Sequence, residues 1–372
     1  MLLTPTAVVR DEHLNNFGPV RLALALLVLI SHCFPLTAGN NDGEPLFSAT
    51  RTTTLGSVAV NGFFVISGYL IATSWLRSTS TSEFLVKRLL RIYPGYCVAF
   101  CFSIAAGVIG SGTNAVQYIK HLYARHDAIV QSLLFLDSGS LDDYNAFSGN
   151  PYPRAINGSL WTLQAEVQCY WIVVGLGLTG LLTRRRLTTC LFSVSYAMYA
   201  SQVLHFMYAG QVSHLGNGEL SRWRLWTYFL FGVMMAHRGE APTRRDLVFA
   251  GFALAGLLAS LNNPTAFVLA LPLLGSYAVL AVSRARGHFC GRLFSRFDLS
   301  YGVYLYAFPV QQLVVQYCDA RTPLVLAIYS MPITFLLAWM SWVWIEQPAM
   351  KSRERLLSPS RRNGMRETCG LA

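Results

Sequence analysis

Arg21 and His32 stand eleven residues apart in the apolar stretch PVRLALALLVLISHCF. Ionisable side chains inside such a stretch are costly, and where they occur they usually do chemistry. Eleven residues of α-helix rise ~16 Å and complete almost three turns, so both side chains share one helix face. A cation near one membrane surface suits a phosphate, and an imidazole further along suits a proton. The bland reading is that Arg21 snorkels to the interface and His32 packs, and the residue types alone leave both open.

Glu166 is the next intramembrane candidate, in NGSLWTLQAEVQCYW behind Trp161. It lies roughly 10 Å below the start of its predicted segment, at a depth comparable to that of His32. A histidine oriented by a carboxylate can take a proton from a hydroxyl and hold the resulting charge. The alternative is a pin between two helices. Lys87, Arg88 and Arg91, in FLVKRLLRIYP, form a compact basic cluster. Guanidinium groups clamp phosphates bidentately, although a cytoplasmic excess of Lys and Arg would also produce such a cluster. FDLSYGVYLYAFPVQQ adds Tyr301, Tyr304, Gln311 and Gln312 near Pro309, and WVWIEQPAM ends its apolar run at Glu346. Interfacial aromatics and core packing account for most of these, with Glu346 capping a helix or pairing with an arginine.

The elements that must position these groups are membrane helices. The 372-residue chain is 53% hydrophobic and only 13% charged, with a mean hydropathy of +0.40, too apolar for a soluble domain of this length. Spanning segments are predicted near 19–38, 56–76, 92–112, 159–182, 187–208, 223–237, 247–262, 265–282, 299–318 and 323–345. The expected fold is therefore an all-α polytopic membrane bundle of about ten helices, with the first retained as a signal anchor. With both termini cytoplasmic, all basic residues face inward except Arg51, Lys120, Arg125, Arg154, Arg222, Arg224 and Arg321. That asymmetry accounts for most of the +11 net charge without a nucleic-acid partner. Residues 1–350 read as one transmembrane domain and 351–372 as a basic cytoplasmic tail. The outer segment 113–158 is long and polar, with turns at GSGT, DSGSLDDYN and SGNPYPR, and its short run IVQSLLFL reads as interfacial or re-entrant. Eight cysteines are scattered, with no disulfide framework and no metal-binding pattern.

Six motifs in order carry a resemblance to membrane-bound acyltransferase family 3. They are Arg21 with His32; FFVISGYL at 63–70; Arg88 with Arg91, followed by IYP; SLWTLQAE at 159–166; SYGVYL at 300–305; and EQP at 346–348. The resemblance runs from Arg21 to Pro348. It implies acyl transfer across a bacterial inner membrane, from cytoplasmic acetyl-CoA or another acyl-CoA to a sugar hydroxyl outside, with no metal. The implied acceptor is an exopolysaccharide, O-antigen or lipid-linked oligosaccharide. By the same resemblance His32 is the base, Arg21 positions the donor or the reacting carbonyl, and Arg88 and Arg91, with neighbouring Lys87, hold the CoA phosphates. Trp161 and Glu166 shape the catalytic end of the tunnel, and Trp161 and Tyr301 are candidates for substrate contact. The chain departs from the family at Ala307, where a second histidine is common.

A secondary transporter or flippase for a polysaccharide precursor would use the same ionisable residues as a pathway. It would also show matched, broken helices in two halves, which the sequence lacks. A non-catalytic scaffold would tolerate lysine in place of Arg88 and Arg91, which a bidentate phosphate site would not.

Overall fold

The computed structural model describes residues 15–112, 115–136, 146–211, 219–238, 242–285 and 297–357. Helix α1 covers Phe17–Ala38, α2 Pro45–Thr50, α3 Leu55–Arg77, α4 Thr81–Gly110, α5 Ala115–Ala124 and α6 His126–Leu133. Then follow α7 Trp161–Leu178, α8 Arg185–Tyr208, α9 Glu219–Met235 and α10 Arg244–Ala259. Helices α11 Pro264–Ala270 and α12 Ser276–Arg284 are joined by a π turn over Leu271–Gly275. The last three are α13 Ser300–Cys318, α14 Pro323–Ser341 and α15 Gln347–Leu357, the latter two joined by a π turn over Trp342–Glu346.

Each of the ten predicted segments coincides with a helix, and no strand occurs among the described residues. Among the described residues, six stretches are long and apolar enough to cross a membrane: Phe17–Ala38, Leu55–Arg77, Thr81–Gly110, Arg244–Asn262, Pro264–Arg284 and Pro323–Ser352. The chain is a helical membrane protein. Large apolar side chains on the rim of the bundle, among them Trp171, Phe252, Leu258 and Leu324, are more than half exposed, as a lipid-facing surface requires.

Two boundaries differ from expectation. Helix α4 begins at Thr81, not near 92, because Ser80 caps it by accepting from the backbone N–H of Glu83. Lys87, Arg88 and Arg91 therefore ride on a helix whose spacing fixes their directions. The run IVQSLLFL contributes to α6, which with α5 forms two short helices carrying exposed Val116, Ile119 and Val130. Helix α15 carries the chain to Leu357, into the predicted tail. The rest of that tail, the turn DSGSLDDYN and the predicted inner residues Arg10, Arg286, Arg292 and Arg296 lie outside the described residues.

Helix α3 packs on α9, α13 on α14, and α1 on both α13 and α3. The α3–α9 contact is made backbone to backbone. A Cβ at Gly68 would fall 2.0 Å from the carbonyl oxygen of Phe229, and one at Gly232 would fall 2.1 Å from that of Val65. Small residues allow such close approach where lipid supplies no hydrophobic drive for association. Replacing Gly68 with Val should destabilise the bundle by about 3 kcal/mol or more, since neither backbone can yield. Thermal unfolding in detergent checks this, and an unchanged midpoint would contradict it.

Polar contacts show which helix ends lie together. The start of α1, the end of α3, the start of α4, the start of α13 and the end of α14 converge through Arg21, Ser74, Arg88, Arg91, Asp298 and Glu346. At the same end, Arg284 of α12 donates to the carbonyl of Arg238, just past α9. At the opposite end, Gln312 of α13 donates to the carbonyls of Tyr152 and Ala155, ahead of α7.

Candidate active site

Arg21 and Arg91 converge on one carboxylate that sequence reading did not single out. Asp298 Oδ2 accepts from Arg21 Nη1 at 2.8 Å and from Arg91 Nη2 at 2.5 Å, and its Oδ1 accepts from Ser300 Oγ at 2.6 Å. Burial by itself would raise this carboxyl, but the two guanidinium groups and Ser300 hold it well below the usual carboxylate range. Its place just ahead of α13 adds the favourable field of a helix N-terminus. Arg91 also lies 3.9 Å from Glu346, whose other oxygen accepts from Ser341. The widened π turn over Trp342–Glu346 carries that carboxylate at the end of α14.

Arg88 points elsewhere, donating to Ser74 Oγ of α3 at 3.2 Å, and its Nε has no hydrogen-bond partner among the described residues. Arg21, Arg88, Arg91, Glu166, Tyr170 and Tyr301 all line one small cavity of about 100 Å³. Tyr301 is fixed there by donating to the carbonyl of Ile92 at 2.9 Å. Lys87 is not among the lining residues. It pairs with Glu83 one turn back and reaches Ser78 Oγ, so its charge is spent at the start of α4.

His32 occupies a second, larger cavity of about 760 Å³, together with Trp161, Tyr152, Phe308 and Arg224. Its ring stands edge-on to Phe308 with centroids 5.2 Å apart, and its Nδ1 has no hydrogen-bond partner among the described residues. The loop that walls this chamber is held by Glu44, which is fully buried and accepts from Ser31 Oγ, from the backbone N–H of Phe47 and from that of Leu55. Thr54 caps α3 beside it. Ser31 is thereby tied next to His32, at the wall where α1 meets the start of α3.

The expected pairing of His32 with Glu166 is not present. Glu166 Oε1 accepts from Ser67 Oγ at 3.0 Å and from Tyr170 OH at 2.8 Å, in the smaller cavity. Similar depth does not impose the same direction around the bundle axis, and residue 166 of α7 faces α3 rather than α1. The shared face of Arg21 and His32 is likewise divided between two chambers. These meet: Val60, Thr162 and Tyr304 line both, and Thr162 Oγ1 and Tyr304 OH are 2.6 Å apart. A hydrogen-bonded hydroxyl pair flanked by a valine is thus the wall that the two chambers share.

Asp298, Ser67, Tyr170 and Thr162 stand in or against the two chambers without having been singled out in the sequence, where Tyr304 was named but not paired with Thr162. Tyr170 was detectable, since it stands one helical turn beyond Glu166 and so had to share its face. Ala307 is buried on α13, and the adjacent Phe308 reaches His32.

A family model described as an acyltransferase domain matches residues 20–343. The chain is 28% identical over 343 residues to the O-acetyl transferase of Shigella phage Sf6, covering 90% of this chain and 95% of the relative. It is 30% identical over 372 residues to nodulation protein 10 of Rhizobium leguminosarum bv. viciae, covering 93% and 96%. Over 135 residues it is 33% identical to the exopolysaccharide production protein ExoZ of Rhizobium meliloti (strain 1021), covering 35% and 38%. No solved structure matches. The matched span takes in both chambers and nearly every helix that builds them, and on that footing the chain belongs to acyltransferase family 3 and is an acyltransferase.

Proposed function

We propose that this acyltransferase moves an acetyl or other short acyl group from cytoplasmic acyl-CoA to a sugar hydroxyl outside. The acceptor is an exopolysaccharide, O-antigen or lipid-linked oligosaccharide at the outer side of a bacterial inner membrane. In this reading all ten long helical stretches cross the bilayer, both termini are cytoplasmic, and residues 1–350 form the transmembrane domain ahead of a basic tail. The names of two relatives, an O-acetyl transferase and an exopolysaccharide production protein, support the acyl group and the acceptor class. The observation that carries the reading is a pair of chambers that share the wall of Val60, Thr162 and Tyr304, with three arginines in one and a histidine in the other.

Arg88 and Arg91, with Arg21 beside them, hold the donor's phosphates, since planar guanidinium groups match phosphate oxygens. Asp298 and Glu346 fix two of these cations in place without neutralising Arg88. The acyl arm passes between the chambers beside Thr162 and Tyr304, whose hydroxyls brace that passage: Thr162 donates to the carbonyl of Ser159, and Tyr304 donates to Thr162. In the outer chamber His32 takes the proton from the acceptor hydroxyl as its oxygen bonds to the acyl carbon. The carbon–sulfur bond breaks, and the CoA thiolate leaves inward and is protonated from solvent. Trp161 and Tyr152 offer aromatic faces to the sugar. Glu166, held by Ser67 and Tyr170, acts on the donor side rather than on His32.

Membranes carrying the protein should transfer label from acetyl-CoA into surface glycan or lipid-linked sugar, and membranes without it should not. Equal incorporation by both would overturn the reading.

A further inference from the structure

The outer chamber contains a cation for which the reaction as described has no use. Arg224 of α9 keeps only 7% of its surface exposed and lines the same cavity as His32. Its Nε is buried with no partner, and it makes no hydrogen bond or ion pair with any described residue. A second cation, Arg51, lines the chamber near its rim, where it pairs with Asp42 at 3.2 Å. No Asp or Glu is among the described residues lining the chamber.

A buried guanidinium without a counter-charge costs several kcal/mol, and neighbours of neutral polarity do not repay that cost. Among inner cations the chain supplies carboxylates, Asp298 to Arg21 and Arg91 and Glu346 to Arg91. Around Arg224 no described residue supplies one. The cavity is large enough for one or two sugar rings, and the indole of Trp161 is part of its lining.

From the proposed function we infer that Arg224 binds an anionic group of the acceptor, a carboxylate on an acidic sugar or a phosphate of a lipid carrier. The anion is held bidentately while a hydroxyl is presented to His32. The acceptor class is therefore acidic, and Arg224 is the residue that selects it. Arg224 is a binding residue and takes no part in proton transfer.

The test measures equilibrium binding to the full chain in nanodiscs, read by tryptophan fluorescence, with three probes: methyl glucuronoside, inorganic diphosphate and neutral methyl glucoside. The wild type should bind at least one anion about tenfold or more tightly than the glucoside, and Arg224→Gln should remove that preference. Arg224→Lys should restore part of it. Preference for glucuronoside assigns a carboxylate, and Arg224-dependent preference for diphosphate assigns a phosphate. Equal binding of all three probes by the wild type, or a preference that survives in Arg224→Gln, would overturn the inference. Equal binding by the wild type overturns the inference even if Arg224→Gln does not fold, whereas a diphosphate preference counts for it only when it is lost with Arg224, because the donor-side arginines also hold phosphate. In labelled transfer, Arg224→Gln should raise the acceptor KM about tenfold with kcat little changed, and a fall confined to kcat would also overturn it. Arg224-dependent anion binding without any acyl transfer would refute the acyltransferase mechanism and leave the anion site standing, so the two can fail separately.

Discussion

Replacing His32 with Gln should lower kcat for acyl transfer about 10²- to 10⁴-fold, the range that a positioned general base supplies. Gln approximates the size of the ring that packs edge-on against Phe308, so the chamber wall is kept. The KM for acyl-CoA should stay within about threefold of the wild type, because the proposed function places the donor's phosphates at the arginines of the other chamber. A split of this kind separates loss of chemistry from loss of folding or binding. Single-turnover transfer from labelled acetyl-CoA, using protein matched by size-exclusion profile, measures it. A variant that keeps the wild-type kcat would remove His32 from the reaction.

The second large effect is expected at Asp298. Changing it to Asn removes the counter-charge of both Arg21 and Arg91, whose nearest remaining described carboxylate is Glu346, 3.9 Å from Arg91. Breaking such a cluster from one side leaves two partly buried cations uncompensated. The cost should be about 3 kcal/mol, at the low end for buried pairs because each of these side chains keeps about a fifth of its surface exposed, 22% for Arg21 and Asp298 and 17% for Arg91. Asp298→Asn should therefore melt several degrees lower, and its KM for acyl-CoA should rise as Arg21 and Arg91 lose their fixed directions. Thermal unfolding together with donor titration checks both, and no change in either would show that Asp298 does not organise the arginines.

The helices were legible because apolar stretches long enough to span can do little else, and the ten predicted segments all fall on helices. The site was legible only in part. Arg21, His32 and Glu166 stood out because ionisable side chains are conspicuous in apolar sequence. Their grouping was not, because depth along a helix follows from spacing whereas direction around the bundle depends on how α1, α3 and α7 pack. Glu166 was thus assigned to His32, although Ser67 on another helix and Tyr170 on its own meet it instead. Lys87 is the opposite case: EFLVK places Glu83 one turn before it, and that local pair predicts its withdrawal from the arginine cavity. Asp298 looked like an ordinary residue ahead of a helix, and its role exists only where α1, α4 and α13 converge. Arg224 was counted among a few exceptions to the charge asymmetry, and only its burial on the wall of the chamber that His32 also lines sets it apart.

The central claim, one path with donor at the arginine end and acceptor at the histidine end, is tested most directly by sidedness. Purified protein is reconstituted into sealed proteoliposomes of known orientation, with acceptor on one side and labelled acetyl-CoA on the other. Label should reach the acceptor only when acetyl-CoA faces the end that carries Arg21, Arg88 and Arg91 and the acceptor faces the end that carries His32. Transfer that requires both substrates on the same side would contradict the account.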